Sequence, residues 1–288
     1  MSLRNRALGA MLAGLLGLTG CLPLGLLTAG DTAATVKIGY MNPLTGDDAT
    51  YGQNYADACQ LAIDHINAAG GVNGQKLELL KGNDQGSGEI GVPVARSLVN
   101  QGIVAMVGPG YSGVMKPVLK DVLIPAGVPS IGHSAQDPSL AEPALKAGNN
   151  NFRIVTSEDQ DALAFSKYFK GEKHSKVVVL SRDNPENKPF AEEFARLVKA
   201  DGVDAKLIVY DDVDNPNYAA IKAQIPDGTT AIVLAANPGD GKSILDDWYA
   251  SGQHKDIGWY FYVFIWGFVP DATEKKFLEG RRGIEPIR

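Results

Sequence analysis

Between Val36 and Asp84 the hydrophobic pattern changes from period two to helical spacing and back again, and that alternation leaves few folds open. Val36, Ile38 and Tyr40 alternate with Lys37 and Gly39, and Asn42-Pro43 stops the run, as at the end of a strand. From Tyr55 the residues Tyr55, Cys59, Ala62, Ile63 and Ile66 recur at spacings of three and four, which predicts one buried helical face. Gly70-Gly71 ends that helix, because glycine takes positive φ without a steric penalty. Leu77 and Leu79 open a second strand. The product is one βαβ unit with a long Gly/Asp/Thr loop after its first strand, and in open α/β sheets ligands bind at the carboxyl ends of strands.

The same alternation continues. Helices are predicted at Gly88 to Gln101, Val114 to Ile124, Asp159 to Phe169, Lys188 to Ala200, Tyr218 to Ile225 and Lys242 to Ser251. Strands are predicted at Ile103 to Val107, Val128 to Ile131, Asn151 to Val155, Val177 to Leu180, Lys206 to Tyr210 and Ala231 to Leu234. Ile103-Val104-Ala105-Met106-Val107 is apolar throughout, as in a parallel sheet covered on both faces. The fold class is therefore α/β, with two doubly wound parallel-sheet lobes, 36–155 and 156–288, joined near Thr156.

Residues 1–35 read as a leader and tether rather than fold. Arg4 and Arg6 precede an apolar run from Ala7 to Leu18, the pattern of a secretory signal. The following Leu18-Thr19-Gly20-Cys21 resembles the lipobox of bacterial lipoproteins, which implies lipidation of Cys21. Simple secretion and an uncleaved anchor stay open, since Leu22 to Ala29 is also apolar. The net charge of −6 argues against a nucleic-acid partner. Cys59, the other of the two cysteines, reads as a small core residue.

The loop Leu44-Thr45-Gly46, paired with Ile66-Asn67-Ala68-Ala69-Gly70-Gly71-Val72-Asn73-Gly74, resembles the amino-terminal part of bacterial branched-chain amino acid-type periplasmic binding proteins. The resemblance runs from about Val36 to about Gly252. It implies a type I periplasmic binding fold and an extracytoplasmic receptor of an ABC importer. Such a receptor closes on a small solute between two lobes, docks on an inner-membrane permease, acts as a monomer, and needs no cofactor or catalysis. Family members continue well past the end of this chain, returning to the first lobe; the sequence is either a fragment or, as the favoured expectation, a shortened form that lacks this C-terminal part.

The resemblance also suggests site residues. Gly108-Pro109-Gly110-Tyr111-Ser112-Gly113 satisfies the GxGxxG spelling of a dinucleotide site. Pro109 removes a backbone donor, however, and no acid ends the next strand. In the family reading this turn is a ligand clamp in which Ser112 holds the ligand carboxylate and Tyr111 is a further ligand-binding residue; a plain structural turn stays open. Ser134, Ala135 and Gln136 form the matching loop, with Gln136 where the family has a Thr. Tyr51 stands at the aromatic position that covers the ligand side chain, and loop packing is its alternative. In the second lobe Glu186 lies nearest an expected Tyr, and Asn237 lies where an aromatic is common.

An acid that pairs with the ligand ammonium is expected past Gly258, yet Trp259 to Phe268 contains none. Either Glu186 or Asp183 replaces it, or the ligand is an amide or a carboxylate without an ammonium. The aromatic run itself reads as a buried strand or as a ligand wall. His65, His133, His174 and His254 share no metal-ligand spacing. Two rival functions remain: a sensory receptor of the same fold, and an α/β nucleotide-dependent enzyme, which the lack of a catalytic motif disfavours.

Overall fold

The computed structural model describes residues 35–46, 48–141, 150–211, 217–236, 257–262 and 282–284, together with Ser243, Ile244, Trp248 and Ala250. The expected leader with Cys21, the Asn237 loop, most of the helix predicted at 242–251, and Val263 to Phe268 lie outside the described residues.

The first half runs β1 (Val36–Asn42), α1 (Ala49–Ala68), β2 (Leu77–Asn83), α2 (Gly88–Asn100), β3 (Ile103–Val107) and α3 (Ser112–Val118). A wide helical turn at Leu119–Leu123 leads into α4 (Ile124–Ala126), followed by β4 (Ser130–Gly132) and β5 (Asn151–Arg153). The second half runs α5 (Glu158–Lys170), β6 (Lys176–Arg182), α6 (Lys188–Ala200), β7 (Asp204–Tyr210), α7 (Tyr218–Lys222), β8 (Ala231–Ala235), β9 (Gly258–Tyr262) and β10 (Arg282–Ile284). The strands form two parallel five-stranded sheets, β2-β1-β3-β4-β5 and β7-β6-β8-β9-β10. In chain order these are the same permutation. Each reverses direction beside its first strand, between β1 and β3 and again between β6 and β8, and such a switch point is where an open α/β sheet has its crevice.

The second sheet explains its own sequence. Val177 and Val179 of β6, Ala231 and Val233 of β8, and Tyr260 and Tyr262 of β9 pack beneath α5 and α6. The alternate residues Val178, Leu180, Ile232, Leu234, Trp259 and Phe261 pack on the other face with Ile221 and Trp248. Both faces are covered, so these strands read as unbroken apolar runs. Trp259 to Tyr262 is thus a buried strand with period-two faces.

In the first half, Met41, Met106, Val114, Met115, Val118 and Leu98 form the core under α2 and α3. On α1 the buried residues are Gly52, Ala56 and Ile63, whereas Ala62 and Ile66 are exposed. The predicted face was therefore rotated, because α1 meets the sheet through its smallest residues. At the end of α1, Asn67 behaves as a strand edge: its Nδ2 donates to Leu77 O at 2.9 Å and its Oδ1 accepts from Leu77 N at 2.7 Å. Gly71, at φ 81°, has no room for a side chain, since a Cβ there would meet Gln75 O at 2.0 Å. That pair of constraints accounts for the Asn and the second Gly of the Asn-Ala-Ala-Gly-Gly spelling.

Candidate functional site

At the first switch point the end of β1 is tied to the loops after β3 and β4. Asn42 is fully buried; its Nδ2 donates to Tyr40 Oη at 2.9 Å and to His133 Nε2 at 3.3 Å. Tyr40 O–H in turn donates to Gly52 O at 2.6 Å. An amide nitrogen only donates, so His133 Nε2 accepts and its proton resides on Nδ1. Nδ1–H then donates to Ser134 Oγ at 3.0 Å, and the Ser134 hydroxyl donates to Gly110 O at 2.8 Å. Tyr51 O–H donates to the same Ser134 Oγ. One donation and two acceptances use the whole capacity of Ser134. It organises the loop and has no hydrogen left for a ligand.

Ser112 is placed differently. It is buried, and its Oγ accepts from Gln136 N and Asp137 N, both at 3.1 Å. Its own hydroxyl hydrogen has no acceptor among the described residues. The next backbone N–H, that of Gly113, donates to Glu186 Oε1 at 3.0 Å. Glu186 lies on the loop after β6, so a carboxylate from the second half occupies a backbone donor of the first. The loops of the two switch points meet at this bond.

Ala135 is buried beside Ser134. Gln136 turns its amide toward the second half: Nε2 donates to Thr156 O at 3.2 Å and to Asp161 Oδ2 at 2.8 Å. Asp161 also accepts from Thr156 O–H at 2.5 Å and from Tyr262 O–H at 3.2 Å. Burial raises the Asp161 carboxyl above the usual carboxylate range, against the lowering effect of these bonds. Asp183 is exposed and paired with Lys188 at 2.8 Å, away from this cluster.

One wall is aromatic. Tyr51 stacks on Tyr111 with centroids 5.6 Å apart and meets the edge of Tyr55 at 5.0 Å. Tyr55 stacks on His133 at 4.1 Å. Burial, followed by the charge of Asp48, raises the Tyr111 phenol, which stays protonated. A cavity of about 680 Å³ lined by Lys222, Asp227, Trp248 and Ile257 lies instead at the amino ends of β8 and β9, away from these loops.

A family model described as "Periplasmic binding protein" matches residues 35–256. The chain belongs to the periplasmic binding protein family. It is 35% identical over 187 residues to the Leu/Ile/Val-binding protein BraC3 of Rhizobium johnstonii, covering 65% of this chain and 50% of that protein. Among solved structures, the periplasmic binding protein fold recurs in the branched-chain amino acid transporter substrate-binding protein LivJ of Streptococcus pneumoniae in complex with isoleucine. That match has a TM-score of 0.65 and 24% identity, over 85% of this chain and 67% of that one. It recurs too in a solute-binding protein of an ABC transporter from R. palustris in complex with 4-hydroxybenzoate, with a TM-score of 0.69 and 16% identity, over 82% of this chain and 63% of that one. The chain spans about half the length of the curated relatives it matches.

Against this periplasmic binding protein background, the geometry brings together Tyr51, Tyr111, Ser112, Ser134, Ala135 and Gln136, and adds Glu186 across the junction. Four residues at the site carry no expected ligand role: Tyr55 and His133 in the aromatic wall, and Glu158 and Asp161 beside Gln136. The sequence reads Tyr55 as part of a helix core. The acids at the start of α5 look like ordinary first-turn acids, and only their burial against β9 marks them out.

Proposed function

We propose that this chain is an extracytoplasmic solute receptor of an ABC importer and that it binds a small carboxylate-bearing solute, foremost an aliphatic amino acid. Residues 36–155 and 156–288 act as two lobes, and the solute lies between the loops at their switch points. The observation that carries this reading is the Gly113–Glu186 bond: the junction already holds a carboxylate on a backbone N–H beside the uncommitted hydroxyl of Ser112. A ligand carboxylate arriving there takes the place of Glu186, with Ser112 and Gly113 as donors. Tyr51 and Tyr111 cover the solute's side chain.

Closure is a hinge motion about the crossing at 154–157, where the chain leaves β5 for α5. The lobes do no chemistry. Export and a lipid anchor at Cys21 keep the receptor at the membrane, where the closed form docks on a permease. The relatives' names and the isoleucine bound in one neighbour support the amino acid class. The stacked tyrosines and the 4-hydroxybenzoate bound in another favour, as second choice, a planar aromatic carboxylate.

Thermal unfolding against separate pools of aliphatic amino acids and aromatic carboxylates tests the reading. A solute at ~100 times its Kd stabilises the fold by about 2.7 kcal/mol. A cooperative melt that no pool shifts contradicts the receptor function.

A further inference from the structure

The amino end of α5 holds a carboxyl group that the surrounding network leaves incomplete. Glu158 is 1% exposed, and its Oε2 has no hydrogen-bond partner among the described residues. Its backbone N–H donates to Gln136 O at 3.2 Å, while Gln136 N donates to Ser112 Oγ at 3.1 Å. Ser112 and Glu158 are thereby tied to opposite ends of one residue. The charged and titratable groups facing Glu158 come from every element around it. They are Asp137 after β4, Arg153 on β5, Asp161 on α5, Glu186 after β6 and Tyr262 on β9. Arg153 is turned away in part, its Nη1 donating to the carbonyls of Gln136 and Asp137 at 3.1 and 3.2 Å.

Burial, then the charges of Asp137 and Glu186, push the Glu158 carboxyl up to about 9. In the empty protein it is therefore neutral at pH 7. A buried carboxyl oxygen with no partner among the described residues, beside the carboxyl groups of Asp137, Asp161 and Glu186, is a position that an arriving cation completes as the carboxyl gives up its proton. Among the described residues no group of three or more His, Cys, Asp or Glu side chains is arranged to hold a metal ion, and the cation in question is organic.

We propose that Glu158 is the residue that recognises the solute's ammonium group, which lies against Oε2 with Asp161 and Tyr262 behind it while the solute's carboxylate meets Ser112 and Gly113. This rests on the receptor reading above and narrows it: the solute is an α-amino acid, and the ammonium partner sits on α5 rather than past Gly258 or at Glu186. Pairing requires the Glu158 carboxyl to lose its proton to solvent, so that a neutral acid and an ammonium become an ion pair plus one released proton. Affinity then rises toward tenfold per pH unit below about 9.

Calorimetric titration of the chain with L-leucine, L-isoleucine and 4-methylpentanoate, at pH 7 and 8 in two buffers of different ionisation enthalpy, decides it. The expected result is that an amino acid binds with release of close to one proton and five- to tenfold tighter at pH 8. Glu158→Gln, which copies the neutral acid, is expected to fold normally, bind that amino acid at least 30-fold more weakly, and release no proton. Glu158→Asp, which keeps the charge, is expected to fall between the two. If Glu158→Gln does not fold, the proton release and pH slope of the unaltered chain decide alone. Equal amino acid affinity and pH slope in Glu158→Gln overturns the role of Glu158, as does wild-type binding of 4-methylpentanoate as tight as that of L-leucine; either leaves the receptor reading standing. Failure of the chain to bind any amino acid or carboxylate overturns both.

Discussion

Glu186 Oε1 lies 3.0 Å from the backbone nitrogen of Gly113, so a side chain of one sheet's loops holds the donor that a ligand of the other would need. Glu186 is in this sense an internal substitute for a ligand carboxylate. Glu186→Ala removes a charge-assisted bond and is expected to lower stability of the empty protein by about 1–2 kcal/mol. The same substitution is expected to tighten carboxylate binding several-fold, because no internal competitor has to leave. Urea unfolding and a direct titration measure the two opposite changes.

Ser112 accepts two backbone N–H groups in a buried position. Ser112→Ala leaves both without a partner, at about 1–3 kcal/mol each. The expected outcome is a loss of roughly 2–6 kcal/mol in denaturant unfolding, with carboxylate binding weakened at least tenfold even where the variant is fully folded.

How much of this was legible in the sequence depends on the scale of the interaction. Strands such as Ile103–Val107, and α6 at Lys188–Ala200, follow from local pattern and end where predicted. The buried side of α1 was misjudged, since residues as small as Gly52 and Ala56 leave little hydrophobic signal even where they pack most closely. The three-residue strand β10, with one apolar side chain, carries no periodicity to find. Ser112 and Ser134 look alike as loop serines, and only the long-range bonds from Tyr51 to Ser134 and from Gln136 and Asp137 to Ser112 separate a donor from a strut. Glu158 is invisible for a similar reason: its surroundings come from separate elements, the loops after β4 and β6, β5 and, more than a hundred residues away, Tyr262 of β9.

Gly52 shows how tightly α1 is set against the first loop. A Cβ on Gly52 would lie 1.6 Å from Pro43 O, a backbone atom with no rotamer to escape into. Gly52→Ala is expected to cost at least about 3 kcal/mol and to disturb Tyr51, its neighbour in the aromatic wall. Thermal melting, together with near-ultraviolet dichroism of the tyrosines, measures both effects.

Asp84 supplies a pH dependence with a definite sign. It is fully buried, its Oδ1 accepts from Gly86 N at 2.9 Å, and its Oδ2 has no partner among the described residues. Burial pushes its carboxyl from 3.8 up to about 6. The folded state thus holds a proton that the unfolded chain has released, so this stabilisation is complete below about 4 and is lost as pH rises through about 6. Asp84→Asn is expected to raise stability at pH 7.5 by roughly 2–3 kcal/mol and to change it little at pH 4. Denaturant titrations at the two pH values separate the effect from a general gain.

The amide resonance of Gly113, followed during titration with L-leucine and L-isoleucine, tests the central claim most directly. The account expects one of these solutes to saturate the chain and to move the Gly113 N–H signal among the largest of all shifts, as a ligand carboxylate displaces Glu186. Saturable binding that leaves Gly113 unmoved would contradict it.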